Sequence, residues 1–143
     1  MIHTVVDAVL GALGMPDIGA HSAFALSFLF TFDSLCSSPP TSQGQLFPDT
    51  DAKWKGASSD RFLLEAMRRC REAGFEVGNL DCTIIAQKPK LSPHKDAIKA
   101  SLCKLMDVHE SCVNIKAKTH EKVDAIGEER AIGCHAVVLL VKK

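Results

Sequence analysis

The spacing of the apolar residues changes along the chain, and this change limits the possible folds more than any other feature. Near the start, apolar residues recur at helical intervals, at Ile2, Val5, Val6, Val9, Leu10 and Leu13. This period predicts an amphipathic helix that ends near Gly14, just before Pro16. Later segments instead show the alternation or the continuous apolar runs that are typical of strands. The chain must therefore pair helices with a sheet.

Two further helices are predicted from the same period. The first follows an N-cap at Ser58 or Ser59, and its apolar face comprises Leu63, Ala66, Met67, Cys70 and Ala73. The second begins with a Ser92 cap and Pro93 at the first helical position, and its apolar face comprises Ile98, Leu102, Leu105 and Met106.

Three segments predict strands. The run Leu80–Ile85 reads as an extended segment, and residues 113–118 alternate apolar and polar side chains, which indicates a half-buried strand. The continuous apolar run from Ala136 to Val141 predicts a closing strand that is largely buried. The order of helices and strands predicts an α+β or α/β fold in which helices pack on one side of a sheet.

Composition narrows the class of protein. The length of 143 residues suits one domain, and net charge is zero, which argues against a nucleic-acid-binding domain. Residues 1–45 contain Asp7, Asp17 and Asp33 but no Lys or Arg, so they sum to −3 and the remainder to +3. A modest basic surplus of this kind suits a small phosphorylated ligand. Six cysteines without a C-x-x-C pair indicate reduced, buried thiols rather than disulfides or a cysteine zinc site.

Residues 20–44 differ from the rest of the chain. Ala23–Phe32 is apolar and holds four of the seven Phe residues, and a Ser/Pro-rich stretch follows it. The apolar run is shorter than the ~20 residues that a membrane-spanning helix needs. A buried strand or an interfacial segment remains open, and we favour an insert without a folded role.

Several polar residues have ordinary explanations when they are taken alone. His3 and Asp7, four residues apart, predict a surface contact on one helix face. Asp17 is typical of a turn after a helix. The segment Ala86–Ser92 suits a strand–helix turn, and Thr119 with Glu121 suits a helix cap.

Four segments of the chain nevertheless resemble one enzyme family. They are Pro16–Gly19, Leu46–Asp51, Thr83–Leu91 and Asn114–Lys122. Together they are similar to 2-C-methyl-D-erythritol 2,4-cyclodiphosphate synthases, and they occur in the same order as in that family. Residues 116–122 resemble the plant members in particular. The resemblance implies an α+β, trimer-forming fold with a mixed sheet and helices on one face, which residues 1–143 form as a single domain interrupted by the insert at 20–44. It also implies a homotrimer with active sites between subunits, and a plastid (chloroplast stroma) location, although no transit peptide opens this chain.

The activity that this resemblance implies is that of a phosphorus–oxygen lyase in isoprenoid (terpenoid) biosynthesis. Such an enzyme converts 4-diphosphocytidyl-2-C-methyl-D-erythritol 2-phosphate to the cyclic diphosphate and releases CMP. The implied metals are zinc, with His3 as a ligand, and magnesium or manganese, with Glu121 as a ligand. Since the family's Asp-x-His zinc motif has no counterpart here, we expect an N-terminally truncated chain with background turnover. The alternative is a non-catalytic, truncated or mis-spliced CMP-binding subunit.

The resemblance also implies a set of substrate-binding residues, among which Thr119 is the catalytic residue that contacts phosphate in the transition state. The set is Asp17, Ile18, Gly19, Phe47, Pro48, Asp49, Thr50, Asp51, Ala86, Gln87, Lys88, Pro89, Lys90, Leu91, Ser92, Lys118, Thr119, His120 and Glu121.

Overall fold

A computed structural model describes residues 1–18, 47, 54 and 56–143. The helices are α1 (Ile2–Ala12), α2 (Ser59–Glu72), α3 (Lys95–Met106) and α4 (Asp124–Gly127), and the strands are β1 (Phe75–Ile85), β2 (Val113–Lys118) and β3 (Gly133–Lys142). Two short 3-10 turns, Ser92–His94 and Glu110–Cys112, precede α3 and β2. The predicted insert at 20–44 lies outside the described residues.

The strands form one sheet in the order β2-β1-β3. The central strand β1 runs parallel to β2 and antiparallel to β3, so the sheet is mixed, and the predicted α+β class is confirmed. At its carboxyl end Ile85 pairs with Lys118 on one side and with Gly133 on the other. The two segments that follow β1 and β2 therefore start from adjacent positions at this end of the sheet.

A β-bulge divides β1 into two parts. The register with β3 shifts between Val77 and Asn79, which inserts an extra residue and changes the face on which the following side chains lie. As a result Val77 and Leu80 are both buried, although they are three residues apart. Gly78 occupies the bulge, and a Cβ there would lie 3.0 Å from Val141 Cγ1. The strand is longer than the predicted run Leu80–Ile85, because the bulge hides the alternation of its first half.

The helices cover one face of the sheet. Their apolar faces and the inward-facing strand residues form a single core, which includes Val9, Leu63, Leu80 and Ile115. The predicted apolar faces of α1 and α3 lie in or against this core, and so does that of α2 apart from Ala73, which follows the helix and is exposed. No described helix has both the length and the apolar character that crossing a membrane requires.

The prediction that the closing strand is largely buried was wrong. In β3, Val137 is 70% exposed and Leu139 is 58% exposed, whereas Val138 and Leu140 pack against the core. The reason is that side chains alternate between the two faces of a strand and the helices cover only one of them. The continuous apolar run of β3 therefore contains both residues that face the core and residues that face solvent.

The predicted start of α3 also differs. Ser92 and Pro93 belong to a 3-10 turn, and the helix itself begins at Lys95, without a side-chain cap at its N-terminus. Proline suits the first turn of either kind of helix, because its missing N–H has no partner there. The local sequence therefore indicated a helix start without deciding its type.

The adjacent leucines of α2 provide a test of this core. Leu63 is fully buried and Leu64 is 46% exposed. We expect Leu63→Ala to lower the free energy of unfolding by about 2–5 kcal/mol, because it leaves a cavity in the core. The matched change Leu64→Ala should cost less than about 1 kcal/mol, since it removes a partly solvated side chain. Urea denaturation of both variants measures the difference, and equal losses would contradict the described orientation of α2.

Candidate functional site

The end of the sheet where β1 and β2 finish is closed by a backbone contact between two loops. The Ala86 N–H donates to the Lys118 carbonyl at 3.0 Å, which continues the pairing of β1 with β2 by one residue. Ala86 is only 5% exposed, whereas Lys88, Lys90 and Lys118 are exposed. The loop after β1 thus starts on the core and turns outward beside the end of β2.

A cavity of about 350 Å³ opens between these two loops. Its wall comes from both sequence segments that were predicted to bind the same ligand. The lining residues are Ala86, Gln87, Pro89, Lys90, Leu91, Ser92, Ala117, Lys118 and Thr119. Of these, only Ala117 was absent from the predicted set.

The cavity combines an apolar floor with cationic side chains. Ala86, Leu91 and Ala117 contribute apolar surface, whereas Lys90 and Lys118 contribute positive charge. Small-molecule sites combine apolar surface with polar groups that fix the ligand's orientation, and the two ammonium groups here favour an anionic ligand. The shape and charge of this cavity therefore suit a small phosphorylated molecule.

The segment between β2 and β3 has an unusual backbone. Non-glycine residues with positive φ occur at Glu121 (50°), Lys122 (62°), Asp124 (60°) and Glu129 (66°). Such conformations are costly for L-residues and persist where surrounding contacts hold them. Their concentration beside the cavity makes this segment a functional candidate on structural grounds.

Thr119 and Glu121 contact each other at the start of this segment. The Thr119 hydroxyl donates to Glu121 Oε1 at 2.6 Å, and both side chains are exposed. The alternative of a Thr-x-Glu helix cap is wrong, since the next helix, α4, begins only at Asp124. The Glu121 carboxylate remains accessible from solvent, as a ligand for a cation requires.

Two side-chain contacts join the loops across the cavity rim. Gln87 Oε1 accepts a hydrogen bond from the Lys122 backbone N–H at 3.2 Å, and Lys88 Nζ lies 2.9 Å from Glu129 Oε1. The ion pair is exposed and contributes little alone. These contacts of Lys122 and Glu129 could not be predicted from the sequence, because no local pattern indicates a partner so distant along the chain.

Gly127 allows this segment to fold back on itself. A Cβ at this position would lie 2.3 Å from the Lys122 carbonyl carbon and 2.6 Å from its Cα. Both distances are far below any real contact, and the atoms are backbone atoms that cannot rotate away. Only glycine permits the approach that holds Lys122, and hence its contact with Gln87.

His120 is tied to the same turn by Asp124. His120 Nδ1 lies 2.8 Å from Asp124 Oδ2 and 3.2 Å from the Val123 carbonyl. The hydrogen bond with Asp124 and, to a smaller extent, the one with the Val123 carbonyl raise the pKa of His120 above its usual 6.5. The Ile126 backbone N–H and, after it, His120 lower the pKa of the Asp124 carboxyl. These contacts therefore favour the protonated form of His120.

The residues at the start of the chain form a separate group around α1. His3 Nε2 is hydrogen-bonded to Ser59 Oγ at 3.2 Å, and Asp7 Oδ1 accepts from the Ile18 backbone N–H at 2.8 Å. The predicted pairing of His3 with Asp7 is therefore replaced by two contacts with other segments. Asp7 fixes the turn that carries the exposed residue Asp17.

An aromatic cluster surrounds His3. Phe62 lies edge-on to His3, with ring centroids 5.7 Å apart, and stacks on Trp54 at 5.3 Å. Phe47 packs edge-on to both Phe62 and Trp54 and is 7% exposed. The predicted substrate residues Gly19 and Pro48–Asp51 lie outside the described residues.

Within the described residues no group of three or more His, Cys, Asp or Glu side chains converges to hold a metal ion. His3 contacts Ser59 and Phe62. Catalytic zinc takes three protein ligands. The described part of the chain therefore does not fit zinc.

Several known proteins are similar to this chain. The chain is 50% identical, over its whole length, to the chloroplastic 2-C-methyl-D-erythritol 2,4-cyclodiphosphate synthase of Arabidopsis thaliana, of which it covers 51%. It is 39% identical over 98% of its length to the synthase of Idiomarina loihiensis, of which it covers 72%. The solved structure of the IspF protein of Plasmodium falciparum in complex with CDP matches 99% of this chain and 70% of that one, at 32% identity and a TM-score of 0.73.

The chain spans about half the length of the plant relatives it matches. A model of the YgbB family matches residues 32–141, which is most of the chain. This match, the shared fold and the identity to named synthases lead to one conclusion. The chain belongs to the YgbB family, that of the 2-C-methyl-D-erythritol 2,4-cyclodiphosphate synthases.

Proposed function

We propose that this protein converts 4-diphosphocytidyl-2-C-methyl-D-erythritol 2-phosphate to 2-C-methyl-D-erythritol 2,4-cyclodiphosphate with release of CMP, in isoprenoid biosynthesis. The observation that carries the proposal is the cavity that Ala86–Ser92 and Ala117–Thr119 enclose together. The names of the relatives support the reaction, and the chloroplastic plant relatives support a plastid location. The CDP complex of a relative supports a cytidine diphosphate ligand.

The cytidine part of the substrate is assigned to the loop after β1. The loop offers backbone N–H and C=O groups at the cavity, and such groups can match the donor and acceptor pattern of a base edge. Recognition of this kind is selective, because a buried backbone group left without a partner costs about 1–3 kcal/mol. Lys90 and Lys118 then lie at the same cavity for the phosphates.

The reaction needs no protein nucleophile. The 2-phosphate of the substrate attacks the β-phosphorus, the bond to the CMP oxygen breaks, and the ring closes. The protein's contribution is to hold the two ends in line and to stabilise the charge that develops on the phosphoryl oxygens. Thr119 is the candidate for a hydroxyl contact to phosphate, which requires its hydroxyl to turn away from Glu121.

Magnesium or manganese fits the diphosphate end of this site. Glu121 presents an exposed carboxylate beside the cavity, and a hard cation that shares one carboxylate with phosphate oxygens is a usual magnesium arrangement. When bound, such an ion neutralises diphosphate charge. Zinc at His3 remains part of the family resemblance, and no step is assigned to it here.

The remaining predicted residues are assigned to the methylerythritol end. Asp17 and Ile18 follow α1, where Asp7 holds the Ile18 backbone, and Phe47, which precedes Pro48 in the sequence, packs in the aromatic cluster. This arrangement supports a role for Asp17–Gly19 and Phe47–Asp51 in holding the part of the substrate that cyclises.

We assign the uncovered sheet face to assembly as a homotrimer. Val137, Leu139 and Val141 form an exposed apolar stripe on β3. Contiguous apolar surface of this kind is typical of an interface rather than of a solvated face. Active sites between subunits would then use residues from two copies of this chain.

A second function, from a different class, is a non-catalytic CMP-binding subunit. The observation that favours it is that His3 belongs to no group of three or more His, Cys, Asp or Glu side chains among the described residues. A turnover assay with added zinc and magnesium separates the two functions. Release of CMP from substrate supports the enzyme, and nucleotide binding without release supports the binding subunit.

The cytidine assignment predicts base selectivity. Calorimetry on the full chain should give a dissociation constant for CDP that is roughly tenfold lower than for UDP, because uracil reverses the donor and acceptor pattern of cytosine. Lys90→Met should weaken CDP by a similar factor through loss of a charge-assisted contact, whereas Lys104→Met, on the exposed side of α3, should leave it unchanged. Equal binding of CDP and UDP would refute the assignment of the loop.

The magnesium assignment predicts an effect that depends on both metal and phosphate. Glu121→Gln should weaken CDP by roughly tenfold when magnesium is present, because a charged ligand of the ion is lost. Without magnesium the variant should bind CDP like the native chain, and it should bind CMP normally in both conditions. Glu128→Gln is the matched control, since Glu128 pairs with Arg130 in the same segment. The same loss for CMP as for CDP would be evidence against this role for Glu121.

The pairing of His120 with Asp124 predicts a shifted titration. A histidine whose pKa is raised on folding contributes stability that is present below about pH 6.5 and is lost as pH rises through the higher folded value. NMR titration should therefore place the pKa of His120 above 6.5, and Asp124→Asn should lower it. The asparagine keeps an oxygen for the Ile126 N–H and tolerates positive φ. A pKa that is identical in Asp124→Asn and in Glu128→Gln would contradict the observed contact.

A further inference from the structure

The sulfur atoms of two cysteines from different strands contact each other in the core. Cys82 Sγ and Cys134 Sγ lie 3.5 Å apart, within hydrogen-bond distance for thiols. Five cysteines fall in the described part of the chain, all of them free thiols, and these two are the pair recorded in sulfur–sulfur contact there. The cyclisation that we propose for this protein does not require this contact.

The strand register explains the contact. Cys82 pairs with Ala136, and Cys134 pairs with Ile84, so the two cysteines are diagonal neighbours across the antiparallel pair β1–β3. Both side chains lie on the core face: Cys82 is fully buried, and Cys134 packs against the core while remaining partly exposed. Diagonal neighbours share one face of the sheet, and here the two sulfurs are in contact across it.

We propose that Cys82 and Cys134 form a reversible oxidation site, at which a hydroperoxide converts the two contacting thiols to a cross-strand disulfide. A disulfide has an S–S distance of about 2.0 Å, so the sulfurs must approach by about 1.5 Å. Diagonal strand positions resist that approach, and the resulting strain makes the bond easier to reduce. Reversibility follows from the same geometry that permits the bond.

The chemistry balances with hydrogen peroxide as the oxidant. The Cys134 thiolate attacks one peroxide oxygen, the S–O bond forms, the O–O bond breaks, and hydroxide leaves with the thiol proton as water. Cys82 then attacks the Cys134 sulfur, the S–S bond forms, and the sulfenic oxygen leaves with the Cys82 proton as a second water. Two thiols are oxidised by two electrons in total, and one peroxide is reduced to two waters. A small dithiol reverses the reaction by thiol–disulfide exchange.

Exposure decides the order of attack. A peroxide molecule can reach Cys134, which is partly exposed, before it reaches Cys82, which is fully buried. Burial, and after it the contact with Cys134, raises the pKa of Cys82 to about 12. Cys82 therefore stays protonated at neutral pH and acts only in the second step, in which its proton passes to the leaving sulfenic hydroxyl as its sulfur attacks the contacting Cys134 sulfur.

The site lies next to the cavity, which gives oxidation a consequence that rests on the proposed function. Cys134 follows Gly133, the residue paired with Ile85, and Ala86 comes directly after Ile85. Closing the sulfurs draws the start of β3 against the end of β1, from which one cavity loop leaves, and β1 is paired with the end of β2, from which the other leaves. We therefore expect the disulfide to weaken CDP binding by roughly tenfold, since displacements near 1 Å have effects of this size or larger on well-positioned groups.

Peptide mapping of the full chain tests the oxidation site directly. Reduced protein is treated with hydrogen peroxide, free thiols are alkylated, and the protein is cut with trypsin without reductant. The expected product links residues 72–90, which contain only Cys82, to residues 131–142, which contain only Cys134. It should disappear after dithiothreitol and in Cys134→Ser, and persist in Cys103→Ser, the matched control. Oxidation that yields only sulfinic or sulfonic acids, or a linkage shared equally among other cysteines, would overturn the proposal.

Two further measurements distinguish the oxidation site itself from its effect on the cavity. Peroxide treatment in urea should scatter the linkages, because selectivity comes from the folded register. Calorimetry with CDP on the reduced and the oxidised chain tests the effect on the cavity, and equal affinities would overturn that effect. If the reduced chain does not bind CDP, the proposed function fails while the mapped linkage still decides the oxidation site.

Discussion

The pairing of Ile85 with a residue on each side organises the end of the molecule that carries the cavity. Lys118 ends β2 on one side and Gly133 begins β3 on the other, so the central strand holds both ends of the segment between them. The Ala86 N–H then extends the ladder by donating to Lys118. The cavity, the rim contacts of Gln87 and Lys88, and the neighbouring thiol pair all depend on this register.

The segment 119–132 shows how such a register can support an unfavourable backbone. Four of its non-glycine residues have positive φ, each at a cost of about 1–2 kcal/mol for ordinary L-residues. Local contacts offset this cost, chiefly Asp124 with the Ile126 N–H and the close approach of Gly127 to Lys122. Strained residues held by their surroundings are common where a protein must preorganise a site. The proposed metal ligand Glu121 is one of the strained residues.

Because the helices cover only one face of the sheet, the other face of β3 is left exposed. Its inward side chains complete the core with α1, while Val137 and Leu139 remain in solvent. A strand that is apolar on both faces is more costly to solvate than one with a polar outer face. This physical cost underlies our proposal that the face contacts other copies of the chain.

Features that depend on neighbours in sequence could be predicted from the sequence. The period of Val5, Val9 and Leu10 defined α1, since residues three and four apart share a helix face. The short segments Ala86–Ser92 and Lys118–Glu121 were predicted from the sequence to form one site, and residues from both of them line the cavity. Family membership followed from the same segments.

Contacts between distant residues were decided only by the tertiary structure. Gln87 and Lys122 are 35 residues apart, and their contact exists because β1 and β2 pair in parallel with one particular register. The exposure of Val137 and the contact of Cys82 with Cys134 likewise depend on which face the helices cover and which residues face each other across β1 and β3. Sequence alone determined the local elements and the residue types at the site, because these follow from neighbouring side chains. Packing decided which of those residues meet, because a one-residue change in register would move every side chain of a strand to the other face.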